Sequence, residues 1–64
     1  MNNTFLNNIL ALSARDIKAK ISDVTLTRAW EMFSELDASG NDRRVRKQFC
    51  RLDAEMRARH LIED

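Results

Sequence analysis

The chain has 64 residues, a formal net charge of +1, 33% charged and 44% hydrophobic residues, one glycine and no proline. That length allows one domain, short of buried surface, and the balance is that of a folded helical protein and not of a disordered tail. One cysteine and one histidine exclude an internal disulfide and a tetrahedral zinc site, so a small core must be completed by close helix packing or by oligomerisation.

Asn2, Asn3 and Thr4 offer N-caps for a first helix over about residues 4–21. Phe5, Leu6, Ile9, Leu10, Leu12, Ile17, Ile21 and Val24 recur at helical spacing, with a slip at Ser13 and Ala14, which predicts a wide apolar stripe. Arg15, Asp16, Lys18 and Lys20 fill the other face. The stretch Ser22-Asp23-Val24-Thr25 competes for backbone hydrogen bonds and predicts a turn that caps the next element.

A second helix is expected over about residues 26–37, with Leu26, Ala29, Trp30, Phe33 and Leu36 on one face. Trp30 and Phe33 fit a core, and Trp30 also fits an interface anchor, because a domain this small can hardly wrap an indole. Asp37 to Asp42 holds Gly40, expected as a left-handed helix terminus, with Asn41 or Asp42 as the next cap.

The third helix is expected over about residues 42–61. Val45, Phe49, Leu52 and Met56, continued by Arg59 or His60, form a narrow seam of heptad type. A helix of about 20 residues is about 30 Å long, more than a second helix of about twelve residues covers. The fold class is therefore all-α, a small three-helix domain that closes as a helical homodimer, with Cys50 expected as a small buried hydrophobe beside Phe49.

No catalytic constellation is legible. Cys50 and His60 lie about 15 Å apart along one helix, one glycine rules out a phosphate loop, and Asp37, Asn41 and Asp42 lack the spacing of a calcium loop. No catalytic, cofactor-binding or metal residue is assigned. The longest apolar run, Ile9 to Leu12, is too short for a bilayer, and the start has asparagines where a signal peptide has cations, so the expected place is the cytoplasm.

Arg43, Arg44, Lys47 and Arg51 form a charged rim on the third helix. It can be solvated or paired with Glu31, Glu35 and Asp37, it can meet an acidic protein surface, or it can lie along DNA phosphates. The nucleic-acid reading is weakened by Asp42, Asp53 and Glu55 and by a net charge near zero.

Ala29-Trp30, the Ser39-Gly40-Asn41 break and Arg46-x-x-Phe49-Cys50-Arg51 together resemble the AraC negative regulators, over roughly Leu26 to Leu52. The resemblance implies an all-helical negative regulator of transcription. It would bind an AraC/XylS-type activator, block its dimerisation and DNA binding, and also engage a nucleoid-structuring protein. Trp30, Phe33, Val45, Arg46, Phe49, Cys50, Leu52 and Met56 are the expected partner-binding or dimer residues. The alternative is a small DNA-binding or nucleoid-associated protein that uses the basic face of the third helix.

Overall fold

Ser13 is where the first long apolar pattern breaks. Its backbone is extended (φ −78°, ψ 168°), its hydroxyl accepts from the Asp16 N–H at 3.2 Å, and the Asp16 carboxylate accepts from the Ser13 N–H at 3.4 Å. This capping box starts a new helix. In the computed structural model, which describes residues 4–40 and 42–62, the expected single helix over 4–21 is therefore two, α1 (Thr4–Leu10) and α2 (Ala14–Lys20). The physical reason lies in Ile9 and Ile17, which would sit about 80° apart on one continuous helix. The break turns both inward, where they are 3% and 1% exposed.

Ser22 caps the following helix, its hydroxyl accepting from the Thr25 N–H at 3.2 Å. Asp23, Val24 and Thr25, expected as a turn, are instead the first turn of α3 (Asp23–Ser39, 17 residues). Asp42 caps α4 (Arg43–Ala58, 16 residues), accepting from the Arg44 N–H at 2.8 Å. Helices three and four are thus matched in length, which removes the overhang expected between them.

Gly40 corrects a further expectation. Its φ of −143° and ψ of 179° are extended, so Gly40 provides no left-handed terminus. That conformation falls on His60 (φ 60°), where the His60 N–H reaches the Arg57 carbonyl at 3.0 Å and the Leu61 N–H reaches the Met56 carbonyl at 2.9 Å. These two bonds are a Schellman ending, and they stop α4 at Ala58, short of the expected 61. The candidate caps Asn2, Asn3 and Asn41 lie outside the described residues.

The described residues form an all-α structure of four helices without strands. Ile9, Ile17, Leu26, Ala29, Phe33, Val45, Leu52 and Met56 make one core. Its centre is the α3–α4 pair, and α1 and α2 pack on one flank of α4. Gln48 is the only buried polar residue of the described chain.

Candidate functional site

Four of the residues expected at a partner surface are spent inside the chain. Phe33 and Leu52 are fully buried, Met56 is 1% exposed and Val45 8%. The seam of the fourth helix is therefore core, because the 17-residue α3 runs along all of it. Cys50 corrects the expectation in the opposite sense, being exposed and not buried.

The remaining four lie together on the outer flank of the α3–α4 pair. Trp30 and Phe49 are half-buried, with ring centroids 6.1 Å apart and planes inclined at 32°, a spacing at which aromatic pairs attract beyond their burial. The Trp30 indole N–H donates to Asp53 Oδ1 at 3.0 Å, and Asp53 Oδ2 accepts from Arg57 Nε at 2.9 Å. The Arg57 hydrogen bond first, and that of Trp30 second, hold the Asp53 carboxyl below the usual aspartate range. A half-exposed indole is thereby fixed in one orientation, which lowers the entropy lost when a partner covers it.

Arg46 Nε lies 3.3 Å from Asp37 Oδ1, with the arginine side chain 71% exposed. Such a pair contributes little to stability and leaves the guanidinium open to exchange for another anion. At about 100° per residue, Arg46, Phe49, Cys50, Asp53 and Arg57 fall within an arc of about 100° on α4. The result is an aromatic centre with charges around it, the usual composition of a protein contact.

The charged rim splits in two. Arg43 lines a shallow recess with Asp37, Asp42 and Arg46, while Arg44, Lys47 and Arg51 line a separate groove against α1. Glu31 and Glu35, expected as partners of the rim, form no ion pair among the described residues, and across the α3–α4 pair Asp37 takes Arg46 while Asp23 takes the C-cap residue Arg59.

Gln48 of α4, to which the sequence assigns no role, and Arg59, the C-cap of α4 expected there or at His60 as the end of the apolar seam, tie the small helices down. Gln48 Nε2 donates to the carbonyls of Ile9 at 2.6 Å and Leu12 at 2.9 Å, at the end of α1. Arg59 Nη2 donates to the carbonyls of Ile17 and Lys18, both at 3.1 Å, and Nη1 to that of Ile21 at 3.1 Å, at the end of α2. Arg59 also pairs with Glu55 at 2.7 Å and Asp23 at 2.8 Å, which raise its pKa in that order. The legible signal was the break itself, since each new helix end leaves carbonyls in need of donors.

Among the described residues no group of three or more His, Cys, Asp or Glu side chains is placed to hold a metal ion, and no helix is long and apolar enough to cross a membrane. Fold and surface together define a small all-α domain with a charged-rimmed aromatic patch. No family model, curated protein or solved structure matches the chain.

Proposed function

We propose that this chain is a negative regulator of transcription, acting in the cytoplasm by binding an activator of the AraC/XylS type and blocking its dimerisation and DNA binding. The observation that carries the proposal is the contact between Trp30 and Phe49. Two residues of the motif that resembles the AraC negative regulators, distant in sequence, meet on one half-exposed patch, with Arg46 and Cys50 of the same motif on its rim. Large rigid aromatics beside arginine are the side chains that most often dominate protein contacts.

In this proposal a helix of the activator lies across the patch, packs on Trp30 and Phe49, and exchanges an acidic side chain for Asp37 at Arg46. The charged rim steers the encounter and selects the partner. A nucleoid-structuring protein is a second candidate partner. A homodimer would use the same patch, since Val45, Leu52 and Met56 already sit in the chain's own core, and would compete with the activator.

The test is co-purification of the tagged chain with an AraC/XylS-type activator, comparing Phe49→Asp and Arg46→Glu with the wild type. Both variants should lose the activator while keeping their helical circular dichroism, Arg46→Glu being the safer one because its side chain is mostly exposed. Retained binding in both would sink the patch. A shift of duplex DNA by the purified chain alone at physiological salt, with no activator recovered, would replace the proposal by direct DNA binding.

A further inference from the structure

A groove of ≈ 390 Å³ runs between α1 and α4, on the flank of α4 away from the aromatic patch. On α4, Arg44 and Phe49 are separated by about 140° around the axis, so the two surfaces are distinct. One wall carries Arg44, Lys47 and Arg51 at intervals of three and four residues, and the other carries Asn7, Leu10 and Ala11. The acids of α4 are turned elsewhere, Asp53 to Trp30 and Arg57, Glu55 to Arg59. Lys47 forms no ion pair among the described residues, Arg51 touches only the neutral amide of Gln48 at 3.1 Å, and Arg44 meets Asp42 at 3.6 Å with its own side chain 82% exposed. The first turn of α4 contains no acidic residue, and the Asp42 carboxylate at its cap offsets part of the positive end of the helix dipole.

We infer that this groove is a docking site for an acidic amphipathic helix of a partner protein. The three cations stand at about 0, 4.5 and 10.5 Å along α4. A helix carrying carboxylates at i, i+3 and i+7 presents the same spacing, and its apolar edge meets Leu10 and Ala11, as helices do in grooves generally. Duplex DNA fits the surface less well. Three cations neutralise about three phosphates, against the six to ten of a typical DNA-binding surface, and the α1 wall offers a phosphate backbone only one neutral amide. The chain's net charge of +1 adds no long-range pull.

The experiment is a titration of the isotope-labelled full chain, followed by amide NMR signals, with a helical peptide of about 20 residues bearing Glu at i, i+3 and i+7 beside leucines. Its counterpart with Gln at those positions, and a duplex DNA of about 20 base pairs, are titrated alongside. The Glu peptide should move the signals of Asn7, Ala11, Lys47 and Gln48, leave the Trp30 indole in place, and bind at least about tenfold more tightly than the Gln peptide. The double variant Arg44→Glu, Lys47→Glu should lose this response without losing its fold, because both side chains are exposed and glutamates near the start of a helix favour it. Equal affinity for the Glu and Gln peptides, unimpaired binding by the double variant, or movement of Trp30 in place of the groove would each overturn the inference. Tighter binding of DNA at the same signals, at physiological salt, would overturn it in favour of a nucleic-acid partner. The outcome is independent of the activator test, which is read at Phe49 and Arg46.

Discussion

The side-chain amide of Gln48 stands 2.6 Å from the carbonyl oxygen of Ile9, and this bond fixes where the first helix meets the fourth. Gln48 is 2% exposed, so water has little access to the carbonyls of Ile9 and Leu12. Replacing the donor with a side chain of similar volume, as in Gln48→Met, takes from the Leu12 carbonyl its side-chain donor, leaves the Ile9 carbonyl with the Leu12 N–H alone at 3.2 Å, and should cost about 1–3 kcal/mol. For a domain of this size each kcal/mol is about 4–8 °C in Tm. A thermal melt by circular dichroism measures it, and an unchanged midpoint would mean that α1 is held by apolar packing alone.

Arg59 does for α2 what Gln48 does for α1, eleven residues and about three turns further along the same face of α4. Its planar fork serves three backbone carbonyls and two carboxylates, a pattern that one ammonium cannot reproduce. Arg59→Lys should therefore destabilise the chain by about 1–2 kcal/mol although the charge is kept. Hydrogen exchange should show the loss first in the amides of α2. Uniform loss across all four helices would indicate that α2 does not open separately.

The all-α class was legible in the sequence, because apolar spacing and caps agree for Ser22, Leu26, Phe33, Asp42, Leu52 and Met56. The break at Ser13 was visible only as a slip in the stripe. Periodicity reports which residues share a face, but the capping box rests on a serine and an aspartate, residue types that the exposed face of a continuous helix would also tolerate. The seam of α4 was legible as apolar and mistaken in purpose. Reading Asp23 to Thr25 as a turn shortened the neighbouring helix and left an edge that seemed uncovered. Gln48 has no legible role and Arg59 reads only as an end of the seam, since their partners are largely carbonyls, which any sequence provides and none advertises. The motif residues of the patch were visible individually, whereas the bond between Trp30 and Asp53 depends on the register of two helices, 23 positions apart.

Asp53 should make the aromatic patch sensitive to acid. Its folded pKa is depressed by Arg57 and then Trp30, so its contribution is complete above the ordinary aspartate value of 3.8 and is lost as pH falls through the folded value. Asp16 and Asp42 share this sign, the first held mainly by the Ser13 N–H and the second by the Arg44 N–H. In Asp53→Asn the indole keeps a carbonyl acceptor but Arg57 loses its charged partner. The difference in stability between wild type and variant should be full at neutral pH and vanish in acid. Fluorescence of the chain's one tryptophan reads it directly, and a difference that persists or grows below the folded value would show that the carboxylate charge is not what holds Trp30.

Cys50 gives the most direct check on which face of α4 is open. The neighbouring Phe49 is half-buried while Cys50 is exposed, because about 100° of helical rotation separates adjacent side chains. A maleimide should therefore modify Cys50 completely in the native protein, without denaturant and with no change in melting temperature. A slow reaction that speeds up only on unfolding would return the thiol to the core. The same adduct bears on function, since a bulky group at Cys50 stands at the rim of the Trp30 and Phe49 patch, about 120° around the helix from Arg44 and about 60° from Lys47. It should block an activator that docks on the patch, and because Lys47 of the groove against α1 is its neighbour one turn back, the groove itself is separated from the patch by the Arg44→Glu, Lys47→Glu variant and not by this adduct.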